Sequence, residues 1–289
     1  MKRIVLLYVF YGFILGGCNG NDENPPPKEV MVYFSTQSMP NSSLKSTAEP
    51  DEDLINRIIM CGVDNLGKVV EVYPAILTLS SSGIPLTISE DVISLYAIAN
   101  PSTGIEAALP SATVSGLMSL TVDFTSAPQS PFLMSGKGNV IGSNVNIELI
   151  RAVAKIEVIG QNDFRIESVT VKNTPDKGFV FKQETIVAPT SSARVNYPVN
   201  TDNSTVYVAE NSKDNSTELV VTGTYLDKQA SYTIVLKNNG TPVDVARNTY
   251  YKVNVSPNTV IDCTVEITIL EWEDVTTDDN IIPDENFES

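Results

Sequence analysis

Short runs of apolar and β-branched residues, each closed off by turn chemistry, recur along almost the whole chain, and this pattern constrains the fold more than any other feature. The first half carries them at residues 30–34 (VMVYF), 56–63, 68–72, 75–79, 86–88, 92–99 (VISLYAIA), 113–124 and 144–158. The second half repeats the pattern at residues 165–172 (RIESVTVK), 178–182, 204–209, 219–225, 231–236, 249–255 and 263–270. Asp64-Asn65-Leu66-Gly67, Gly136-Lys137-Gly138-Asn139 and Asn238-Asn239-Gly240 have the chemistry of turns between strands. Runs of this kind at intervals of roughly 8–12 residues predict an all-β chain made of sandwiches. Residues 92–99 are apolar almost without a break, as expected of a central strand covered on both faces. Helical periodicity is poor, and the one capped stretch, residues 52–58, is too short to matter. A chain of 289 residues suits two such domains, because domains cluster near ~100–150 residues. The expected division is an N-terminal domain at residues 29–150 and a C-terminal domain at residues 151–289.

The opening residues follow a different logic. Lys2 and Arg3 precede an apolar stretch over residues 4–15, well short of the roughly 20 residues that a spanning helix needs. It ends in Leu15-Gly16-Gly17-Cys18, small residues before a cysteine, which matches the lipobox of bacterial lipoproteins. Residues 1–17 are therefore expected to be a lipoprotein signal peptide. That match implies cleavage before Cys18, with acyl chains on its sulfur and on the new amino terminus. Each buried methylene adds about 0.8 kcal/mol, so several chains anchor firmly. Residues 18–28, ending in Pro25-Pro26-Pro27-Lys28, read as a semi-rigid tether. The expected location is the cell surface, as an outer-membrane lipoprotein precursor.

Charge and residue usage narrow the function. A formal net charge of −16 repels phosphate backbones, which argues against a nucleic-acid partner. Histidine is absent, which removes Ser-His-Asp, Cys-His and His-metal arrangements together. There is no glycine-rich phosphate loop, and the acidic groups around residues 49–53, 278–279 and 284–285 lack a calcium loop's pattern, so they read as solvated acidic turns. No cofactor, metal site or enzymatic activity is expected. Of the three cysteines, Cys61 and Cys263 remain after Cys18. They pair in an oxidising compartment or stand as separate buried thiols; their separate domains favour the second.

Four segments resemble the fimbrillins, or type V pilins, of Bacteroidales. They are Tyr96-Ala97-Ile98-Ala99-Asn100-Pro101, Phe132-Leu133-Met134-Ser135-Gly136, the stretch Leu149-Ile150-Arg151-Ala152-Val153-Ala154-Lys155-Ile156, and Arg247-Asn248-Thr249-Tyr250-Tyr251-Lys252-Val253-Asn254-Val255 followed by Trp272. Their order and spacing cover most of the mature chain. The resemblance implies two transthyretin-like β-sandwich domains in tandem and a role as a structural pilus subunit supporting adhesion and biofilm formation. It further implies that a trypsin-like maturation protease cuts the lipid-anchored precursor after a basic residue. The first strand then leaves, and the groove accepts a C-terminal strand from another pilin subunit.

Elementary sheet physics supports such an exchange, because a sandwich lacking one strand exposes unpaired backbone and an apolar groove. In the run at residues 30–34, Val30, Val32 and Phe34 would face inward and contribute about 5–9 kcal/mol of burial. Val265, Ile267 and Ile269 alternate with polar residues and make residues 264–270 a candidate donor, with Trp272 beyond them. The candidate processing site is Lys45-Ser46, in a polar stretch where the family has arginine. If the cut fails, the chain keeps its lipid as an anchor or terminal subunit. The alternative reading is a monomeric surface lipoprotein that binds glycans or host proteins, with both segments serving as ordinary strands of its own sheets.

Overall fold

A computed structural model describes residues 27–36, 45–46, 52–76, 83–199 and 205–272. The chain is all-β, with two β-sandwich domains in tandem. The first half holds β1 (Lys28–Thr36), β2 (Lys45–Ser46), β3 (Ile58–Val63), β4 (Val69–Ile76), β5 (Ile84–Ile88), β6 (Ser94–Ala99), α1 (Thr103–Ala108), α2 (Val114–Met118), β7 (Thr121–Asp123), β8 (Met134–Asn139) and β9 (Asn144–Arg151). The second half holds β10 (Val153–Gly160), β11 (Arg165–Pro175), β12 (Lys177–Phe179), β13 (Arg194–Val199), β14 (Thr205–Ala209), β15 (Glu218–Tyr225), β16 (Lys228–Val235), β17 (Lys237–Asn238), β18 (Thr241–Pro242), β19 (Thr249–Pro257) and β20 (Cys263–Trp272).

In the first sandwich the ladder runs β4-β3-β6-β8-β9-β1-β5. It turns a corner at β8 and β9, which pair only at Met134↔Arg151 and Ser135↔Ile150. The two arms therefore close on one core that includes Val30, Val32, Met60, Leu95, Val145 and Ile147. Gly136-Lys137-Gly138-Asn139, expected to be a turn, instead lies within β8, where its glycines make the corner possible. A Cβ on Gly136 would lie 2.1 Å from the Glu148 carbonyl oxygen, and one on Gly138 would lie 2.5 Å from that of Asn146. Backbone cannot retreat from such contacts without opening the sandwich. Gly136→Ala is therefore expected to destabilise the chain by about 1–3 kcal/mol, read as a fall in its thermal unfolding midpoint.

β3 and β6 are buried along their whole length. Their second face lies under α1 and α2, where Ile59, Tyr96 and Ile98 meet Ile105, Leu109 and Leu117. This is why residues 92–99 carry no polar alternation. The helices correct the strand expected over residues 113–124. Thr113 caps α2 by accepting from the Gly116 N–H at 3.2 Å, and only residues 121–123 form a strand. Val114, Leu117 and Met118 in fact stand at helical spacing.

The second sandwich stacks β14-β10-β19-β20-β2 on β13-β11-β15-β16. Ile156, Val169, Val171, Val221 and Val253 fill the space between them. Only Ala152 separates β9 from β10, so the chain passes from one sandwich to the other almost without a turn. β7 and β12 pair across the junction, and Ser135 Oγ donates to the Val180 carbonyl at 2.7 Å. A third contact is the apolar group of Phe124, Phe132, Ala152, Val153, Tyr250 and Trp272.

Candidate functional site

The segments expected to take part in assembly fall in two places, the middle of the first sandwich and the edge of the second. β1 lies between β9, with which it runs parallel, and β5, with which it runs antiparallel. Val30 and Val32 are fully buried, and Phe34 packs on the same core. β5 has no ladder neighbour other than β1 among the described residues. Withdrawing β1 therefore opens the inner edges of two strands and exposes the apolar floor between them.

The backbone of β2 pairs in parallel with the end of β20, Lys45↔Glu271 and Ser46↔Trp272. Cys18, the leader, most of the tether and the tail beyond Trp272 lie outside the described residues. β20 is laddered to β19 from Pro257↔Cys263 to Thr249↔Glu271, while β2 covers only the last two residues of its other edge. Val265 and Ile267 pack on the second core. Ile269 shares their face but is exposed. Trp272 projects from the opposite face and is fully buried at the junction, with Leu270 packed beside it.

Trp272 sits in a dense buried ionic group. Its Nε1–H donates to Glu52 Oε2 at 2.9 Å, and Lys155 Nζ pairs with Glu52 Oε1 at 2.9 Å. Tyr207 donates its hydroxyl to the same carboxylate and stacks on the indole at 5.6 Å. The Arg151 guanidinium lies 4.7 Å from the indole ring, pairs with Asp53 and donates to Asn248 Oδ1 at 2.9 Å. Nearby, Arg247 pairs with Glu210 at 2.7 Å and donates to the carbonyls of Val180 and Phe179. Glu52 thus corrects the reading of residues 49–53 as a solvated acidic turn. Its partners lie far along the chain, and nothing local in the sequence announces them. Arg151, Lys155, Arg247 and Asn248 all belong to the fimbrillin-like segments, and here they tie the two sandwiches together. Asn100, from another such segment, adopts φ +53° at the end of β6. Its amide donates to the carbonyls of Leu54 and Phe132, pinning the segment that carries Glu52.

Cys61 and Cys263 are both free thiols, the first buried and the second half-buried. Burial pushes the Cys61 thiol up to about 12, and burial with the adjacent Asp262 raises Cys263. The thiolate is the reactive form, so both react slowly near neutral pH. Maleimide labelling at pH 8 followed by intact mass is expected to modify Cys263 while Cys61 stays unmodified until the fold is denatured. Among the described residues no cluster of acidic or cysteine side chains is arranged to hold a metal ion.

A family model described as fimbrillin-A associated anchor proteins Mfa1 and Mfa2 matches residues 104–278, more than half of the chain. No curated protein matches it. Among solved structures, the chain is similar to a candidate cell adhesion protein from Bacteroides eggerthii DSM 20697, with TM-score 0.63 and 16% identity over 86% of this chain and 98% of that one. The tip fimbrial protein Mfa3 from Porphyromonas gingivalis, C-terminally truncated, aligns with TM-score 0.59 and 15% identity over 85% of this chain and 100% of its own. The fimbrilin FimA from P. gingivalis W83 aligns with TM-score 0.56 and 12% identity over 86% and 98% respectively.

Proposed function

The chain belongs to the Bacteroidales fimbrillin family, through its match to the fimbrillin-A associated anchor proteins Mfa1 and Mfa2, and on that premise we propose that it is a lipid-anchored pilus subunit that assembles by strand exchange. A pilus-associated role at the cell surface, in company with other fimbrial subunits, follows from membership. Within that role the precursor is held in the outer membrane by acyl chains on Cys18. Residues 29–150 form the accepting domain, and residues 151–289 form the domain that supplies a strand. The protein works as structure and adhesion surface, with no catalytic step of its own.

One observation carries the reading. Among the described residues β1 is the only ladder partner of β5, pairs with β9 from Met31↔Asn144 to Thr36↔Leu149, and is the first strand, followed closely by Lys45-Ser46. A trypsin-like protease cutting after Lys45 would free β1 with the lipid. The emptied groove then takes a strand from a neighbour, completing the sandwich between subunits. Because this contact is head-to-tail, it does not close on itself and extends into a filament. A subunit left uncut keeps its lipid and serves as the terminal, membrane-held member. Intact-mass measurement of pili sheared from the cell surface tests the scheme. A subunit beginning at Ser46 supports processing and polymerisation, and one beginning at acylated Cys18 assigns the terminal place. A protein found only as an unassembled monomer rejects the scheme.

A further inference from the structure

Each sandwich has one end at the junction and one end far from it. β9 runs from the turn at residues 140–143 to the junction, and β10 runs on from the junction to the turn at residues 161–164. These two turns therefore mark opposite poles of the molecule.

The N-terminal pole gathers three turns. Ile93 N–H donates to the Val63 carbonyl at 2.9 Å, and Val140 N–H donates to the Ile93 carbonyl at 2.9 Å, so the ends of β3, β6 and β8 lie side by side. Their tips display Leu66, Ile93 and Ile141, which are 87%, 51% and 76% exposed. At the C-terminal pole, Tyr232 donates its hydroxyl to the Thr259 carbonyl at 2.7 Å, tying the β19–β20 turn to β16. Here Ile261 is 87% exposed and Leu226, in the β15–β16 turn, is 68% exposed. Leu226 and Asp227 have φ +49° and +57°. Two consecutive positive φ values favour Asn, Asp or Gly, and a leucine there is strained. Among the described residues Leu226 joins none of the hydrophobic clusters, which is the pattern of a residue displayed for something outside.

We propose that the two poles are complementary faces of one contact, in which Ile261 and Leu226 of one copy of this chain seat against Leu66, Ile93 and Ile141 of a second copy. The inference rests on the subunit role given above and adds an interface separate from the exchanged strand. Strand directions supply the argument for a second copy as occupant. β20 starts at the C-terminal pole, directly after the turn that bears Ile261. β1 enters its sheet at the N-terminal pole, where Met31 N–H donates to the Ser143 carbonyl at 2.8 Å beside Ile141. Stacking pole on pole sets the start of one copy's β20 at the mouth of the next copy's β1 groove. Swung outward about that turn, β20 enters the groove in the direction of β1, from pole to junction. A few aliphatic side chains make a weak contact alone, but a neighbour already tethered by a strand makes it effectively intramolecular.

Two full-length chains, both with Cys18→Ser and Cys263→Ser, test this when one carries Ile141→Cys and the other Ile261→Cys; Cys61 is buried and stays silent. Mild oxidation of the mixture is expected to give a mixed dimer in at least tenfold excess over either chain alone. Ile141→Asp and Ile261→Asp are expected to shorten surface fibres several-fold without moving the monomer's unfolding temperature, since both positions are turn tips. Fibres of ordinary length in both Asp variants with no mixed dimer would overturn the pole contact and leave strand exchange intact. Mixed dimers from a chain that forms no fibres would retain the pole contact and overturn strand exchange. Equal dimer yields from each chain alone would also overturn the proposal, because they report like-to-like contacts.

Discussion

Glu52→Ala is expected to destabilise the chain by about 3–5 kcal/mol, the usual cost of leaving a buried charge uncompensated. The Glu52 carboxylate is 1% exposed and receives Lys155, the Trp272 indole N–H and the Tyr207 hydroxyl. Alanine leaves the Lys155 ammonium without this ion-pair partner, removes the acceptor for a buried indole and opens a void beside stacked rings. Glu52→Gln retains volume and an acceptor but loses the charge, so it is expected to fall between alanine and the parent. The chain's single tryptophan reports on the site directly. Urea titration followed by Trp272 fluorescence should show a lowered midpoint for Glu52→Ala. An unchanged midpoint would mean that the junction is held by its apolar contacts alone. The same network explains why deleting residue 264 onward is a poor probe of assembly. That deletion removes β20, Trp272 and their part of the second core at once, so point substitutions at exposed positions are the cleaner tests.

Cleavage after Lys45 with release of β1 is expected to abolish amide protection in β5. Antiparallel pairing with β1 at Glu29↔Thr87, Val30↔Leu86 and Val32↔Ile84 is the ladder that holds β5 among the described residues. Burial of Val30, Val32 and Phe34 adds about 5–9 kcal/mol that no other element supplies once β1 has gone. Hydrogen exchange of the trimmed subunit should show residues 84–88 exchanging on the order of a hundredfold faster, as a strand cut loose from its fold does. β3 and β6 keep both neighbours and their helical cover, so their protection should persist. In assembled fibres the incoming strand should restore protection to β5. If β5 stays protected in the trimmed monomer, β1 is not what holds it, and an emptied groove would not invite a neighbour.

Much of the architecture was legible because strand burial leaves a local signature. The run begun at residue 144 appears as alternating burial in β9, and the nearly unbroken apolar run at residues 92–99 appears in β6 as a strand covered on both faces. The helical spacing of Val114, Leu117 and Met118 was equally local, but it was hidden inside a longer apolar stretch. Glu52 was not legible at all. Its indole partner lies 220 residues away, and a carboxylate in an acidic run looks solvated until the fold brings cations to it.

Taken alone, the order of residues determined strand periodicity, the turns at residues 64–67 and 239–240, the absence of histidine and the segments that mark the fimbrillin family, because each of these is read from neighbours along the chain. Tertiary structure alone decided that Arg151, Lys155, Glu52 and Trp272 meet at one junction, that β5 depends on β1, and that exposed aliphatics stand at opposite poles. Those facts concern residues far apart in sequence, and only the closing of two sandwiches brings them into contact or holds them apart.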